Sequence, residues 1–370
     1  MRFWIVGGGT GGHVYPALAV AQALRATAPE AALTWIGTLD GMEGDLVQRE
    51  GIRFVGIPGG GLHGVALLNA IRNGWDLVRG IFAARRLMRR ERPAALLTTG
   101  GFVSGPVVMA ARLEGVPVMV FVPDIEPARS VKAVIRVARR VAVTVADSLK
   151  YMAEDEGSLG GKVVVTGYPL GDRITVWERQ EAREALGLAD GAKVVLVFGG
   201  SRGARSINRA LLKTVAELTP HAEIVHVSGT LDWLEVQAAR DALPEPVRAR
   251  YHAYPYLHEK MGAALAAADL VLSRAGASVL GEFPYFGLPA ILVPYPYAWR
   301  YQRVNAGWLA DRGAAVIVED GRLADEMVAT VVALLDDPRR LAKMAAASRG
   351  LARPQAAQEI AQLFLELGRG

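Results

Sequence analysis

The chain has 370 residues, of which 51% are apolar and 21% charged, with 41 glycines, no cysteine and a formal net charge of +5. That length exceeds one ordinary core and sets two domains as the expectation. The lack of cysteine excludes disulfides, zinc–thiolate sites and a cysteine nucleophile, and no apolar run reaches the roughly 18 residues of a spanning helix, so any membrane contact is expected to be peripheral. A basic balance suits nucleic acids, anionic membranes or phosphorylated substrates.

The N-terminus enters a strand directly, Phe3 to Val6, with no signal-peptide region ahead of it. Gly7-Gly8-Gly9-Thr10-Gly11-Gly12-His13 is a first Gly-rich turn, and Pro16 to Leu24 is the helix after it. Glycine there permits positive φ and close approach of a ligand to the backbone. The turn formally contains the dinucleotide fingerprint G-x-G-x-x-G. The acid that such a site needs about 20 residues on falls at Glu30, inside a turn, and Gly37 ends the second strand instead of an acid. His13 sits at a helix N-terminus, which favours neutral imidazole and suits a general base. The alternative is a histidine that caps the helix or packs under the loop.

Leu33 to Gly37 is the second strand, and Asp40 to Asp45 reads as a solvated helix start. Ile52 to Ile57 is a third strand, followed by the loop Pro58-Gly59-Gly60-Gly61. From Leu67 to Arg92 apolar residues are interspersed with arginines. Two helices are expected here, with most of Val78 to Leu87 packing an apolar face on the sheet and exposing arginine. The part from Leu67 to Trp75 is a candidate lipid-facing patch.

Ala94 to Thr98 is a strand, and Thr99-Gly100-Gly101-Phe102-Val103-Ser104-Gly105-Pro106 is the second Gly-rich turn, opening a helix over Val107 to Leu113. Strands over Val116 to Val122, Val141 to Val145 and Val163 to Thr166 close the first half. This alternation predicts a parallel sheet with right-handed crossovers. Gly167 to Asp172 reads as the link, after which the pattern restarts. Val194 to Phe198 is a strand, Gly199-Gly200-Ser201-Arg202-Gly203-Ala204-Arg205 the third Gly-rich turn, and Ser206 to Leu218 a helix. Further strands are expected over Ile224 to Ser228, Arg250 to Tyr254, Leu270 to Ser273, Ala290 to Val293 and Ala315 to Val318. Pro354 to Gly370 reads as an amphipathic helix. In Arg274-Ala275-Gly276-Ala277-Ser278-Val279-Leu280-Gly281-Glu282, Gly276 and Ser278 lie where a strand becomes a helix, whose first N–H groups attract anionic oxygens. Glu282, one turn further in, is placed to reach a ribose; otherwise the stretch is an ordinary turn with a surface glutamate.

The three Gly-rich turns and the Arg274 to Glu282 stretch, in this order and at these separations, resemble the MurG family. These are peripheral glycosyltransferases that add N-acetylglucosamine from its UDP donor to lipid I, making lipid II for peptidoglycan. The match runs from Phe3 to about Val318. The resemblance implies an α/β chain of GT-B architecture, two Rossmann-like domains facing a cleft. Residues 1–166, joined by the C-terminal helix at about 350–370, would bind the acceptor, and 167–349 the UDP-sugar. It implies His13 as the base that deprotonates the acceptor. Ser201, Arg274, Gly276, Ser278 and Glu282 would lie along the nucleotide, and Gln302 and Asn305 near the sugar. Thr10, Gly11, Gly12, Gly101, Ser104 and Asp124 would serve the acceptor and its phosphates.

The implied partners are UDP-N-acetylglucosamine, undecaprenyl-linked lipid I and the anionic inner-membrane surface at its cytoplasmic face, with no nucleic acid. No cofactor or metal is expected: backbone N–H groups and helix dipoles can stabilise a departing diphosphate, the acceptor needs positioning and a base, and the motifs contain no D-x-D. Inversion at the anomeric carbon is implied.

The chain departs from the family pattern in three places. Phe121-Val122-Pro123-Asp124 replaces His-Glu-Gln-Asn, which bears on acceptor hydrogen bonds and leaves Asp124 and Glu126 as candidate substitutes. Tyr168-Pro169-Leu170-Gly171 replaces Asn-Pro-Val-Arg, with Arg173 two residues later. Trp299-Arg300-Tyr301 alters the loop before Gln302, which bears on donor choice. The alternatives are a related transferase with another UDP-sugar or another acceptor, a UDP-sugar epimerase, which would need acid/base residues flanking the sugar, and a nucleotide-sugar binding subunit without activity.

Overall fold

The structure, a computed structural model, describes residues 1–9, 11–39, 43–58, 67–152, 159, 161–201, 203–297 and 301–370, with backbone alone for 67–74. Two compact units divide the chain. The first is Met1–Gly171 with Pro354–Gly370, and the second is Asp172–Arg353.

The first unit is built on seven strands: β1 (Arg2–Gly7), β2 (Ala32–Thr38), β3 (Arg53–Ile57), β4 (Ala95–Gly100), β5 (Val118–Val122), β6 (Arg140–Val143) and β7 (Val163–Val165). Their order is β3-β2-β1-β4-β5-β6-β7, with every pair parallel. Parallel pairing requires a crossover between strands, and covering both faces buries the strands completely; Val-Met-Val-Phe-Val of β5 is buried at every position. Alternation along β1 divides the core. Trp4 and Val6 meet Ala84, Met88 and Val107, whereas Phe3 meets Phe364 of the C-terminal helix Ala356–Arg369, ring centroids 5.0 Å apart. Gly368 of that helix lies so close to the Phe3 ring that a Cβ there would stand 2.5 Å from it.

Four helices of this unit bear on the site: α1 (Gly11–Thr27), α2 (Glu43–Arg49), α3 (Leu67–Glu91) and α4 (Ser104–Leu113). α1 begins five residues before the expected Pro16, so the Gly-rich turn itself forms its first turn and Pro16 lies inside the helix. α3 is one helix, not two. Its Val78–Leu87 stretch packs an apolar face on the core as expected, through Ala83, Ala84 and Leu87 with Met88 just beyond, and exposes Arg79 and Arg86. What departs from the expectation is that Val78 and Phe82, with Trp75 before them, are exposed. The 75, 78, 82 spacing places those three on one stripe of the helix. The side chains from Leu67 to Gly74, most of the candidate lipid-facing patch, lie outside the described residues, as does Gly59 to Gly61.

The second unit repeats the design with β8 (Val194–Phe198), β9 (Glu223–Val227), β10 (Tyr251–Tyr254), β11 (Leu270–Ser273), β12 (Ala290–Leu292) and β13 (Ala315–Ile317). Their order is β10-β9-β8-β11-β12-β13, again all parallel. Val195, Val197, Leu272 and Ile291 pack against Leu211 and Val215 of helix Arg205–Leu218 and Val331 of helix Leu323–Leu335.

In each sheet the strand order reverses beside its first strand, between β1 and β4 and between β8 and β11. Such a switch point leaves a crevice at the carboxyl ends of the strands, the usual ligand site of open α/β sheets. The four sequence motifs follow these four strands, two at each switch point.

Candidate functional site

At the first switch point two Gly-rich turns pack backbone to backbone. The β1–β4 register is irregular between Val6 and Gly7, which brings Gly7 opposite Gly100. Gly101 has φ +95°, and a Cβ there would stand 2.4 Å from the Gly8 carbonyl oxygen. Only glycine combines that conformation with that approach.

His13, half-buried in the first turn of α1, has its Nδ1 2.7 Å from the Thr99 carbonyl oxygen, and the Thr99 hydroxyl donates to the His13 carbonyl at 2.6 Å. A carbonyl only accepts, so Nδ1 carries the hydrogen and Nε2 keeps its lone pair. Burial lowers the His13 pKa below its ordinary 6.5, outweighing the Thr99 hydrogen bond and the Asp124 charge, both of which raise it. The imidazole is therefore neutral at neutral pH with Nε2 as its basic atom, the form a general base requires.

The other residues expected on this side divide into two groups. Gly12 is exposed and Gly11 buried, and Asp124 is half-buried, its charge acting on His13. Ser104 is buried; its hydroxyl donates to the Gly100 carbonyl at 2.7 Å and accepts from the Thr98 hydroxyl at 2.9 Å. Ser104 thus holds the second turn in shape. Thr10 lies outside the described residues, so the structure gives it no place.

Glu43 overturns the expectation of a solvated helix start between Asp40 and Asp45; residues 40–42 lie outside the described residues, but Glu43 itself is fully buried. Its Oε1 accepts from the Thr38 amide at 2.9 Å and the Thr38 hydroxyl at 2.8 Å, and its Oε2 lies 3.5 Å from the Gly9 amide nitrogen. The available sequence signal was an acid just past β2: in a doubly wound sheet β2 neighbours β1, so the two following loops are neighbours too.

At the second switch point the third Gly-rich turn leads into helix Arg205–Leu218. Gly203 has φ +75° and presses against the Ser228 carbonyl, where a Cβ would come within 2.2 Å. Ser201 is exposed, and Arg202 lies outside the described residues. After β11, Ser278 stands at the start of helix Val279–Phe286, and its hydroxyl, rather than capping the helix, donates to Glu282 Oε2 at 3.0 Å. Burial pushes the Glu282 carboxyl up to about 7, against the opposing effects of the Ser278 hydrogen bond and the charge of Arg173. A Cβ added at Gly276 would meet nothing within 4 Å.

Arg274, Asn305 and Gln302 shape this site from within. The buried Arg274 guanidinium lies 2.6 Å from Asp320 and donates to the Val293 carbonyl at 3.1 Å and the Ser206 hydroxyl at 2.7 Å. It also sits over the Tyr295 ring, 5.2 Å from its centroid. One side chain thus ties together the chain following β8, β11, β12 and β13. Asn305, also buried, donates to the Ala275 carbonyl at 3.1 Å, and Gln302 Oε1 accepts from the Tyr295 amide at 2.9 Å. Of the altered loop, Trp299 and Arg300 lie outside the described residues. Among the described residues no three histidine, aspartate or glutamate side chains converge as a metal site.

Residues 3–143 match the glycosyltransferase family 28 N-terminal domain, and residues 194–362 match the glycosyltransferase family 28 C-terminal domain. A relative from Roseiflexus sp. (strain RS-1) is 41% identical, covering 98% of this chain and 94% of its own. One from Desulforudis audaxviator (strain MP104C) is 39% identical across 100% of both chains. Both are UDP-N-acetylglucosamine--N-acetylmuramyl-(pentapeptide) pyrophosphoryl-undecaprenol N-acetylglucosamine transferases. The chain belongs to the MurG family of glycosyltransferases. Among solved structures, Acinetobacter baumannii MurG superposes with a TM-score of 0.73 at 28% identity, covering 99% of each chain. The MurG-family chain is therefore a GT-B glycosyltransferase, with one Rossmann-like sheet in each unit.

Proposed function

We propose that this protein transfers N-acetylglucosamine from UDP-N-acetylglucosamine to N-acetylmuramyl-(pentapeptide) pyrophosphoryl-undecaprenol, lipid I, giving lipid II for peptidoglycan. The observation that carries the reading is His13 in the Thr99-fixed tautomer, its Nε2 free, in a chain similar over its whole length to enzymes of that activity. The first unit takes the acceptor at its two Gly-rich turns, with Gly12, Gly101 and Asp124 on the acceptor side. The second unit takes the donor.

Nε2 of His13 accepts the proton of the acceptor hydroxyl as that oxygen bonds to the anomeric carbon of the donor. The bond from that carbon to the diphosphate oxygen breaks, UDP departs with the electron pair, and the configuration inverts. The growing diphosphate charge is met by Ser201 and the amides of its turn and by the helix start at Ser278. Glu282 accepts from the ribose hydroxyls. Arg274, Gln302 and Asn305 act through the loops they hold.

Attachment to an anionic membrane surface is part of the same proposal, since the acceptor's polyprenyl chain resides in a bilayer. The exposed stripe of Trp75, Val78 and Phe82, with exposed Arg79 and Arg86 on the same helix, supports it. None of the described helices is long and apolar enough to cross a membrane.

The test is UDP release by purified protein across a panel of UDP-sugars, with and without a lipid I analogue. Release from UDP-N-acetylglucosamine dependent on that analogue is expected; release with another sugar, or with unrelated acceptors, would replace this reading by a related transferase. Co-sedimentation with vesicles should depend on anionic lipid and fall when Trp75 and Phe82 are replaced by serine. Equal binding by that variant would remove the stripe from membrane attachment.

A further inference from the structure

Glu43 is buried without appearing in the reaction, and its surroundings are unusually specific. Both oxygens face hydrogen-bond donors on loops of neighbouring strands: the Thr38 amide and hydroxyl at the end of β2, and the Gly9 amide after β1. The fit leaves no slack. A Cβ on Gly8 would stand 2.5 Å from Glu43 Oε1, and one on Gly37 would stand 3.0 Å from its Cγ. Gly8 is thus held between the Glu43 carboxylate and Gly101, whose hypothetical Cβ would meet the Gly8 carbonyl oxygen at 2.4 Å. The adjacent Gly100 abuts the His13 ring, with a Cβ there 2.9 Å from Cε1. A displacement of the carboxylate therefore passes through Gly8 and the second turn to the imidazole, since tightly packed backbone does not absorb it.

We infer that Glu43 is a positioning residue for the acceptor site: its carboxylate sets the first Gly-rich turn against the second and thereby fixes where His13 Nε2 stands. The inference rests on the proposal that the first unit receives the acceptor. Glu43 touches neither substrate nor the reacting atoms. Its charge also takes the Gly9 amide for the protein itself, leaving acceptor phosphates to the other amides of the turn. Carboxylate rather than amide is required because both oxygens accept; the NH2 of glutamine would face an N–H.

The experiment compares wild type with Glu43→Gln. Loss of a hydrogen bond to a charged group lowers kcat/KM for a lipid I analogue on the order of tenfold or more, while Kd for UDP stays within about twofold. Loosening of the turns also relieves the burial of His13, so the His13 imidazole pKa, followed by NMR without any substrate, moves up toward its ordinary value. Where Glu43→Gln does not fold, Thr38→Val removes one of the same hydrogen bonds and should shift both readouts in the same directions by less. A folded variant with unchanged His13 titration and unchanged acceptor kcat/KM overturns the role of Glu43. Failure of the wild type to use lipid I would overturn the proposed acceptor instead, and the NMR titration would still decide the role of Glu43.

Discussion

The two switch points share a plan and differ in what they keep rigid. In the first unit the turns after β1 and β4 press on each other through Gly8, Gly100 and Gly101, and His13, the proposed base, has its Nδ1 held by the Thr99 carbonyl. In the second, Gly203 presses on the Ser228 carbonyl much as Gly101 does on Gly8, but Gly276 has room for a side chain, and the loops are braced from below by Arg274, whose charge is spent on Asp320, Ser206 and the Val293 carbonyl. A proton acceptor needs one orientation relative to an attacking oxygen, which favours glycine packed on glycine. A site for a diphosphate needs exposed amides and a stable rim, which a buried ionic brace beneath the loops supplies.

The largest expected effect tests the first region. His13→Ala should lower turnover about 10²–10⁴-fold, the range for losing a general base, with UDP affinity intact; wild-type turnover would remove His13 from the chemistry. Because burial lowers its pKa, the base stays neutral further into acid than free imidazole. The acid limb of kcat/KM in the wild type should therefore lie below the ordinary 6.5, and a limb at or above 6.5 would contradict the buried setting.

Next in size is the brace of the second region. Arg274→Ala leaves Asp320 and a buried carbonyl without their cation, and breaking a buried pair of this kind costs about 3–5 kcal/mol. Chemical denaturation should show the loss, together with weaker UDP binding; wild-type stability would deny the brace.

A matched pair of glycines then sets the regions side by side. Gly101→Ala imposes a side chain at φ +95° against the Gly8 carbonyl and should cost about 1–3 kcal/mol or more. Gly276→Ala enters open space and should change stability by no more than about 0.5 kcal/mol. Equal thermal shifts for the two would erase the contrast between them.

The smallest expected effect is pH-dependent. The folded protein raises the Glu282 carboxyl from 4.5 to about 7, so the native state holds a proton that the unfolded chain releases in that window. Stability from this group is complete below pH 4.5 and is lost as pH rises through 7. Glu282→Gln should therefore match the wild type in acid and gain on it in melting temperature above pH 7; a difference independent of pH would sink the assignment. Glu282→Ala should also weaken UDP binding, and unchanged affinity would count against contact with the ribose.

Strand positions were readable because parallel strands buried on both faces are short apolar runs, and β8 and β11 begin and end where the pattern places them. Helix starts were less so. α1 and α4 begin inside their Gly-rich turns because tertiary bonds, such as Thr99 to the His13 carbonyl and Ser104 to the Gly100 carbonyl, order residues whose own propensity is poor. Glu43 read as a surface acid because an acidic helix start usually is one, and only the loop beside it makes it otherwise. Val78 and Phe82 misled in the opposite sense, since periodicity gives the width of an apolar stripe but not which part of it the sheet covers.

By itself the sequence determined the alternation of strand and helix, the two repeats and the Gly-rich turns, and it pointed to His13 as the proposed base, because these depend on residues close together in the chain. The tertiary structure decided which turns meet. β1 lies beside β4 and β8 beside β11, so Thr99 fixes the tautomer of a histidine 86 positions away, and Ser206 bonds an arginine 68 positions away. Parallel strands carry nearly the same local signal whatever their order, and a side chain's protonation and partners follow from the neighbours that order supplies.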